Sequence, residues 1–362
     1  ANLNSLDVID GGAGTDTLTL TGGGVVADTD FTGMTLVERV VFAGSTTAVL
    51  GAAYSASGSG RVTLSTANDN LVIGAGVTTD QTLVMQASND TVTASSYTGA
   101  LTISIAENNL DANDTITSGT GSDILSITFG GANITAAEIA GVTGVETIVT
   151  ATNATGNLTL NDNNNVSSVL TISAAANTSA SFTLDASAEN DGTIVYVGGA
   201  GIDTVTGTTG ADTIGGGAGA DAITGGNGAD TITGGAAADS FVYTAVAQST
   251  GTAIDSITDF VSGTDSFAVT LDQSTATGDL TFDATVQTAA AGTTLVQAGL
   301  SGSIGQAIYD TTNSRLIINA NADNLVTTLD YQIGVNAAAT AANTIAAGDI
   351  NFTITAGSGD DV

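Results

Sequence analysis

GGAGIDTVT, GTTGADTIG, GGAGADAIT, GGNGADTIT and GGAAADSFV follow one another without a break from Gly198 to Val242. Each places an aspartate at its sixth position (Asp203, Asp212, Asp221, Asp230, Asp239) and an apolar residue two places later (Val205, Ile214, Ile223, Ile232, Phe241). The spacing predicts six residues of turn and three of strand, with the single apolar side chain pointing inward. Two nonapeptides then complete one coil, so Asp203, Asp221 and Asp239 stack on one side and Asp212 and Asp230 on the other. Glycine is required where such turns adopt conformations that a Cβ forbids. The glycines at the first, second and fourth places are Gly198, Gly199, Gly201, Gly207, Gly210, Gly216, Gly217, Gly219, Gly225, Gly226, Gly228, Gly234 and Gly235. Their carbonyls and the five carboxylates form a dense set of hard oxygen donors, which suits several Ca²⁺ ions far better than a transition metal.

Two units depart from the pattern. Thr208 and Thr209 interrupt the second turn, and Ala237 stands in the fourth place of the fifth. Those turns are expected to bind ions more weakly, and the fifth to close the coil rather than continue it. A disordered Gly/Ala/Thr/Asp linker is the competing reading of such composition, but chance would not hold one phase through five successive units.

Of the 362 residues, 36 are acidic and three basic, for a net charge of −33. Nucleic acid, which needs a basic footprint, is excluded as a partner, as is an anionic membrane. Of the acids 31 are Asp and five Glu, which favours tight oxygen cages in turns over a merely solvated surface. Without counter-cations such a coil would repel itself. The chain has no Cys, no Pro, no His and no Trp. No disulfide staples it, and the lack of Pro fits closely laddered strands, each of which needs its backbone donors. No apolar run is long enough to span a bilayer.

Related signals lie outside the nonapeptide block. The chain begins in the same phase, with Asp7 and Asp16 in the aspartate place, and its last seven residues, AGSGDDV, break off inside another unit with Asp361 in position. The chain is therefore expected to be a segment of a longer repeat-bearing protein. GGAGTDTLTLTGGG leading to FTGMTLVERVVFAG recurs as SGTGSDILSITFGG leading to IAGVTGVETIVTAT, which aligns Asp16 with Asp123 and Glu38 with Glu146. DTITS places Asp114 in a similar turn. Short alternating runs such as NLVIG, DTVTA and LTISI, and LTL, LTISA, FTLDA and TIVYV at about twelve-residue intervals, read as strands. Even spacing with NG and DG hairpin turns scarce favours a parallel solenoid, with a sandwich as the alternative. One helical turn is expected at TAAEIA, Thr135–Ala140.

The predicted architecture is all-β: a right-handed parallel β-roll or β-solenoid with calcium-binding nonapeptide turns, capped by a small β region. Its expected parts are a first solenoid cassette (1–108), a second (109–197), the calcium β-roll (198–242) and a β-rich end cap leading into a further unit (243–362).

The nonapeptide block resembles the repeats-in-toxin (RTX) calcium-binding repeat, GGxGxDxUx. DSITDFVSGTDSFAV (255–269) and GQAIYDTTNSRLIIN (305–319) resemble the end cap of serralysin-type secreted metalloproteases. That likeness implies calcium-linked roles for Asp255, Asp259 and Asp265, and export through type I secretion. The cassettes before the block resemble, more loosely, those of an RTX-type bacterial surface-layer protein. A protease reading fails on chemistry: without His, neither H-E-x-x-H zinc binding nor a Ser-His-Asp triad can be built. No catalytic residue is expected. An ice-binding face would need sustained T-x-T ranks, and TLTLT (17–21) and the TIT triplets at 115–117 and 231–233 form no sustained array.

The expected function is a calcium-dependent extracellular structural protein, a subunit of a bacterial surface layer or matrix filament. Its expected partners are further copies of itself bridged by Ca²⁺, with cell-surface polysaccharide a further candidate. The alternative is a segment of a large RTX adhesin.

Overall fold

The computed structural model describes residues 3–151, 155–164, 169–251, 253–272, 286–289, 307–310, 315–318, 331–335 and 350–355. Its dominant motif is a parallel β-solenoid of about 12 turns, divided between two compact units, Ala1–Ala176 and Asn177–Val362.

In the first unit, strands beginning at Thr17, Arg39, Arg61, Gln81, Leu101, Ile124, Thr147 and Val169 stack side by side. Each coil there is somewhat longer than two nonapeptides, and its length varies from one coil to the next. A second parallel sheet carries Gly24–Val26, Thr46–Leu50, Asn70–Ile73, Thr91–Thr93, Thr115–Thr117 and Val142–Thr143. Two strands per coil is the physical source of the short recurrence visible in the sequence. Because side chains alternate across a strand, every coil sends the same positions inward. Val40, Val62, Leu83, Ile103, Leu125, Ile148 and Ile172 are direct cross-strand partners in one continuous row, and all are buried. Ala48, Leu71, Val92, Ile116 and Val142 form the facing row. Threonine and serine occupy the alternate, half-exposed positions, as in Leu101–Ala106. β-branched residues fit such a pleated, half-buried surface.

In the second unit the coil shortens to two nonapeptides, seen in strands starting at Thr204, Ala222 and Ser240 on one face and Thr213 and Thr231 on the other. The apolar residues of the nonapeptides all point inward. Val205, Ile223, Phe241 and Phe267 pair in one row, and Tyr196, Ile214, Ile232 and Ile257 in the other. Each is at most 1% exposed. Full burial of such a side chain contributes about 1.5–3 kcal/mol. Three aromatic rings, Phe241, Phe260 and Phe267, close the interior where the nonapeptides end, with Phe260 and Phe267 stacked at 4.7 Å.

One expectation is corrected here. The fifth nonapeptide does not close the coil: Ser240–Tyr243 pairs in parallel with Ser266–Asp272, which in turn pairs with Ile350–Thr355. Ala237 sustains this by adopting a φ of +92°, a left-handed conformation at a position where Gly228 also has positive φ. TAAEIA makes the single turn expected of it, in which the Glu138 and Ile139 N–H groups donate to the Thr135 carbonyl. A short α-helix outside the sequence reading forms at Ala52–Ala56, where the Asp28 carboxylate accepts from the Gly51, Ala53 and Tyr54 N–H groups. Antiparallel pairing enters after the roll, between Ala307–Asp310 and Arg315–Ile318 and between Arg315–Ile318 and Tyr331–Val335.

Candidate metal centre

Each nonapeptide aspartate sits immediately before a strand, and its backbone and side chain both serve the stack. Ala222, one coil further on, donates its N–H to the Asp203 carbonyl, and Thr231, Ser240, Ser256 and Ser266 repeat this toward Asp212, Asp221, Asp230 and Asp239. The aspartate's own N–H then donates to a carboxylate one coil further on. Asp203 N–H reaches Asp221 Oδ1 at 2.7 Å, Asp221 reaches Asp239 at 2.9 Å, and Asp239 reaches Asp265 at 3.1 Å. On the other side Asp212 reaches Asp230 at 2.8 Å and Asp230 reaches Asp255 at 3.0 Å. The carboxylates thus extend the backbone ladder by one rung into the turn, in two rows: Asp203, Asp221, Asp239, Asp265 and Asp212, Asp230, Asp255.

That arrangement uses one oxygen of each carboxylate. The second oxygen, Oδ2, folds back over the first glycine of its own turn. A Cβ on Gly207, Gly216, Gly225 or Gly234 would overlap Oδ2 of Asp212, Asp221, Asp230 or Asp239 respectively. At Gly198, Gly207 and Gly216 a carbonyl from the next coil converges on the same spot. Gly216 O faces Gly198, Gly225 O faces Gly207, and Gly234 O lies 2.7 Å from where a Gly216 Cβ would be. The absent side chain therefore leaves a cradle lined by a carboxylate oxygen from one coil and a carbonyl oxygen from its neighbour. The second glycines, Gly217, Gly226 and Gly235, have φ of +115°, +108° and +111° and press against the carbonyls of Gly199, Thr208 and Gly217. At the fourth place Gly201, Gly210, Gly219 and Gly228 touch carbonyls of the preceding coil in the same way. Gly199 flanks the Asp203 carboxylate through its N–H, at 3.3 Å.

Oδ2 of Asp221, Asp230 and Asp239 is buried and has no hydrogen-bond partner. Burial of an unpaired charge is costly, and its effect on proton affinity is plain. Desolvation, with like charge from the neighbouring carboxylates, raises Asp221 and Asp239 to about 6 and Asp230 to about 8. Asp255 rises to about 7, chiefly through burial, beside the Tyr243 hydroxyl. Asp203 and Asp212 are raised as well, again by burial, against opposing hydrogen bonds. Buried, unpaired carboxylate oxygens converging with carbonyls are the donor chemistry of a hard divalent cation. Asp221, whose Oδ2 shares its cradle with the Gly234 carbonyl, together with Asp230 and Asp239, are the residues that would hold it. The charge it supplies would offset the repulsion along each row.

Four segments of the chain match one family, the RTX calcium-binding nonapeptide repeat: residues 6–24, 110–126, 197–232 and 215–243. The turns are RTX nonapeptide repeats. Such repeats bind Ca²⁺ in multiple sites, and the parallel solenoid matches an RTX β-roll. RTX repeat proteins are typically secreted. No curated protein gives a match to the chain.

The remaining sequence candidates fall in different places. Asp16 donates its N–H to Glu38 Oε2 at 2.8 Å, and Asp123 to Glu146 Oε2 at 2.7 Å, so the two aligned cassettes share one acid-to-acid contact. Asp7 makes a local turn with Asn4 and joins no row. Asp259 accepts from the Gly234 and Gly235 N–H groups at 2.9 and 2.8 Å, which ties the cap motif to the last glycine turn. Asp361 lies outside the described residues. Asp114 belongs to a third row that the sequence reading missed: Thr46 N–H donates to Asp69, Asp69 to Asp90, and Asp90 to Asp114, at 2.6, 2.9 and 2.8 Å. Its signal was an Asn-Asp pair before a strand at 68–69, 89–90 and 113–114. Among the described residues no helix is long and apolar enough to cross a membrane.

Proposed function

We propose that this protein is a secreted structural building block whose roll is set by Ca²⁺ after export and whose copies pack into a surface layer or matrix filament. The observation that carries the calcium part is the trio of buried carboxylate oxygens without donors at Asp221, Asp230 and Asp239. Assembly is supported by charge: with −33 overall, like surfaces repel until divalent ions bridge them. Bridged copies, and an anionic or neutral surface polysaccharide sharing the same ions, are the partners this chemistry favours. The solenoid acts as scaffold, with no catalytic part.

Folding and assembly are separately measurable. Removing calcium with excess EGTA at neutral pH is expected to weaken the far-ultraviolet β-signal of the purified chain and to disperse any lattice or filament seen by electron microscopy. Restoring millimolar calcium is expected to return both. An unchanged β-signal in EGTA would overturn the calcium-set roll. Monodisperse rods in calcium would overturn the layer and favour the adhesin-segment alternative.

A further inference from the structure

The glycine turns occur in two states that the repeat pattern does not distinguish. In the closed state, the N–H four residues before the aspartate donates to its Oδ2. Thr208 does so to Asp212 at 2.6 Å, Gly199 to Asp203 at 3.3 Å, and Gly119 to Asp123 at 3.0 Å. Outside the glycine turns, Ser65 does the same to Asp69 and Val261 to Asp265, at 2.6 and 2.7 Å. Positive φ is absent at Thr208, Gly199 and Gly119. In the open state that residue has positive φ, its N–H makes no bond to the carboxylate, and Oδ2 is left unpartnered. This holds for Gly217 with Asp221, Gly226 with Asp230 and Gly235 with Asp239. Gly12 with Asp16 repeats the open pattern near the start of the chain.

Two of the closed turns in the nonapeptide block are reinforced by a hydroxyl. Tyr196 donates to Asp203 Oδ2 at 2.9 Å. Thr208 Oγ1 lies 3.0 and 3.1 Å from the two Asp212 oxygens. Both hydroxyls occupy the side of the carboxylate that is vacant of protein donors at Asp221, Asp230 and Asp239, each of which is at most 2% exposed. A carboxylate already holding a backbone N–H and a hydroxyl has less to gain from a cation, which must compete with these donors for the remaining lone pairs. A Cβ at position 208 also disfavours the left-handed conformation that opens the turn.

We propose that, within the five nonapeptides, calcium is held only at the open turns of Asp221, Asp230 and Asp239, and that Tyr196 and Thr208 replace the ion at Asp203 and Asp212. The substitution of GGxG by GTTG is then an internal ion surrogate, and it makes the first coil of the roll independent of calcium. This rests on the calcium reading above and adds to it which carboxylates load.

The test is calcium titration calorimetry on the whole chain, with fold checked by circular dichroism in saturating calcium. Asp230→Asn is expected to lower the number of ions bound by about one, and Asp212→Asn to leave it unchanged. An equal loss in Asp212→Asn would overturn the surrogate assignment while leaving calcium binding intact. No ion uptake by the unaltered chain would instead overturn the calcium reading itself. Because either variant can fail to fold, crystals of the unaltered protein soaked in terbium provide a second arm. Anomalous peaks are expected beside Asp221, Asp230 and Asp239 and not beside Asp203 or Asp212; peaks of equal strength at all five would refute the proposal.

Discussion

Gly216→Ala separates the role of the cradle from ordinary packing. The new Cβ would lie 2.7 Å from the Gly234 carbonyl oxygen, against 3.4 Å or more for ordinary contact, and would overlap Asp221 Oδ2. Both neighbours are held by ladders on either side, so the coils must part by several tenths of an ångström or the turn must rotate. Such overpacking costs about 1–3 kcal/mol. The ion served by Asp221 adds a second, calcium-dependent loss. A site already saturated gains about 2.7 kcal/mol for each hundredfold rise in free calcium, and the variant forgoes that increment. Urea unfolding followed by circular dichroism at two free calcium concentrations a hundredfold apart, bracketing the extracellular range, measures both parts. The gap between unaltered protein and variant is expected to widen by about 2–3 kcal/mol at the higher concentration. Gly263→Ala is the control, because it is strained by its φ of +80° but meets nothing within 4 Å, so its penalty should not change with calcium. If the gap for Gly216→Ala stays constant across the two concentrations, the cradle is not an ion site.

Two further outcomes follow from the turns. Ala237→Gly relieves a left-handed alanine and is expected to stabilise the roll by about 1 kcal/mol, read as a higher urea midpoint; a lower midpoint would show that the alanine methyl is needed for packing. In calcium-free buffer, the folded-state values of Asp221, Asp239 and Asp230, about 6, 6 and 8, lie above the ordinary carboxylate value. Their contribution is therefore fully present below about pH 4 and is lost as pH rises through 6 to 8. The metal-free roll should resist urea better at pH 5 than at pH 8.5, and a midpoint that rises across that interval would contradict the burial of uncompensated charge.

The nonapeptide block was legible because its period is fixed. With two nonapeptides per coil, every inward residue and every row-forming aspartate falls at a constant interval, so Val205, Ile214 and Asp221 could be placed from spacing alone. The first unit hid its rows because its coils vary in length: the strand starts at Thr17, Arg39, Arg61, Gln81, Leu101 and Ile124 hold no single interval. Asp69 and Asp90 occupy equivalent places that no fixed period reveals, and only the Asn-Asp pair before each strand marks them. Glu38 and Glu146 were found through alignment of the two cassettes, but their partners were not, since the contact joins positions 22 or 23 apart across coils. Thr208 read as a weakened turn, and its hydroxyl's contact with Asp212 depends on a turn conformation that composition does not encode. Ala237 read as a terminator because alanine disfavours positive φ. The stack on both sides of it fixes that backbone regardless, through Ser240–Tyr243 and its two neighbours.

Because each aspartate ladder in the roll joins a residue to one 18 to 26 positions away, a pull along the coil axis loads the rungs in series. The weakest rung would then yield alone, while the others stay shut. Releasing one coil of two nonapeptides would lengthen the tether by about 60 Å, at roughly 3.3–3.6 Å per extended residue. A material woven from such chains would give way in small, repeatable steps and re-knit each one when the strain passes.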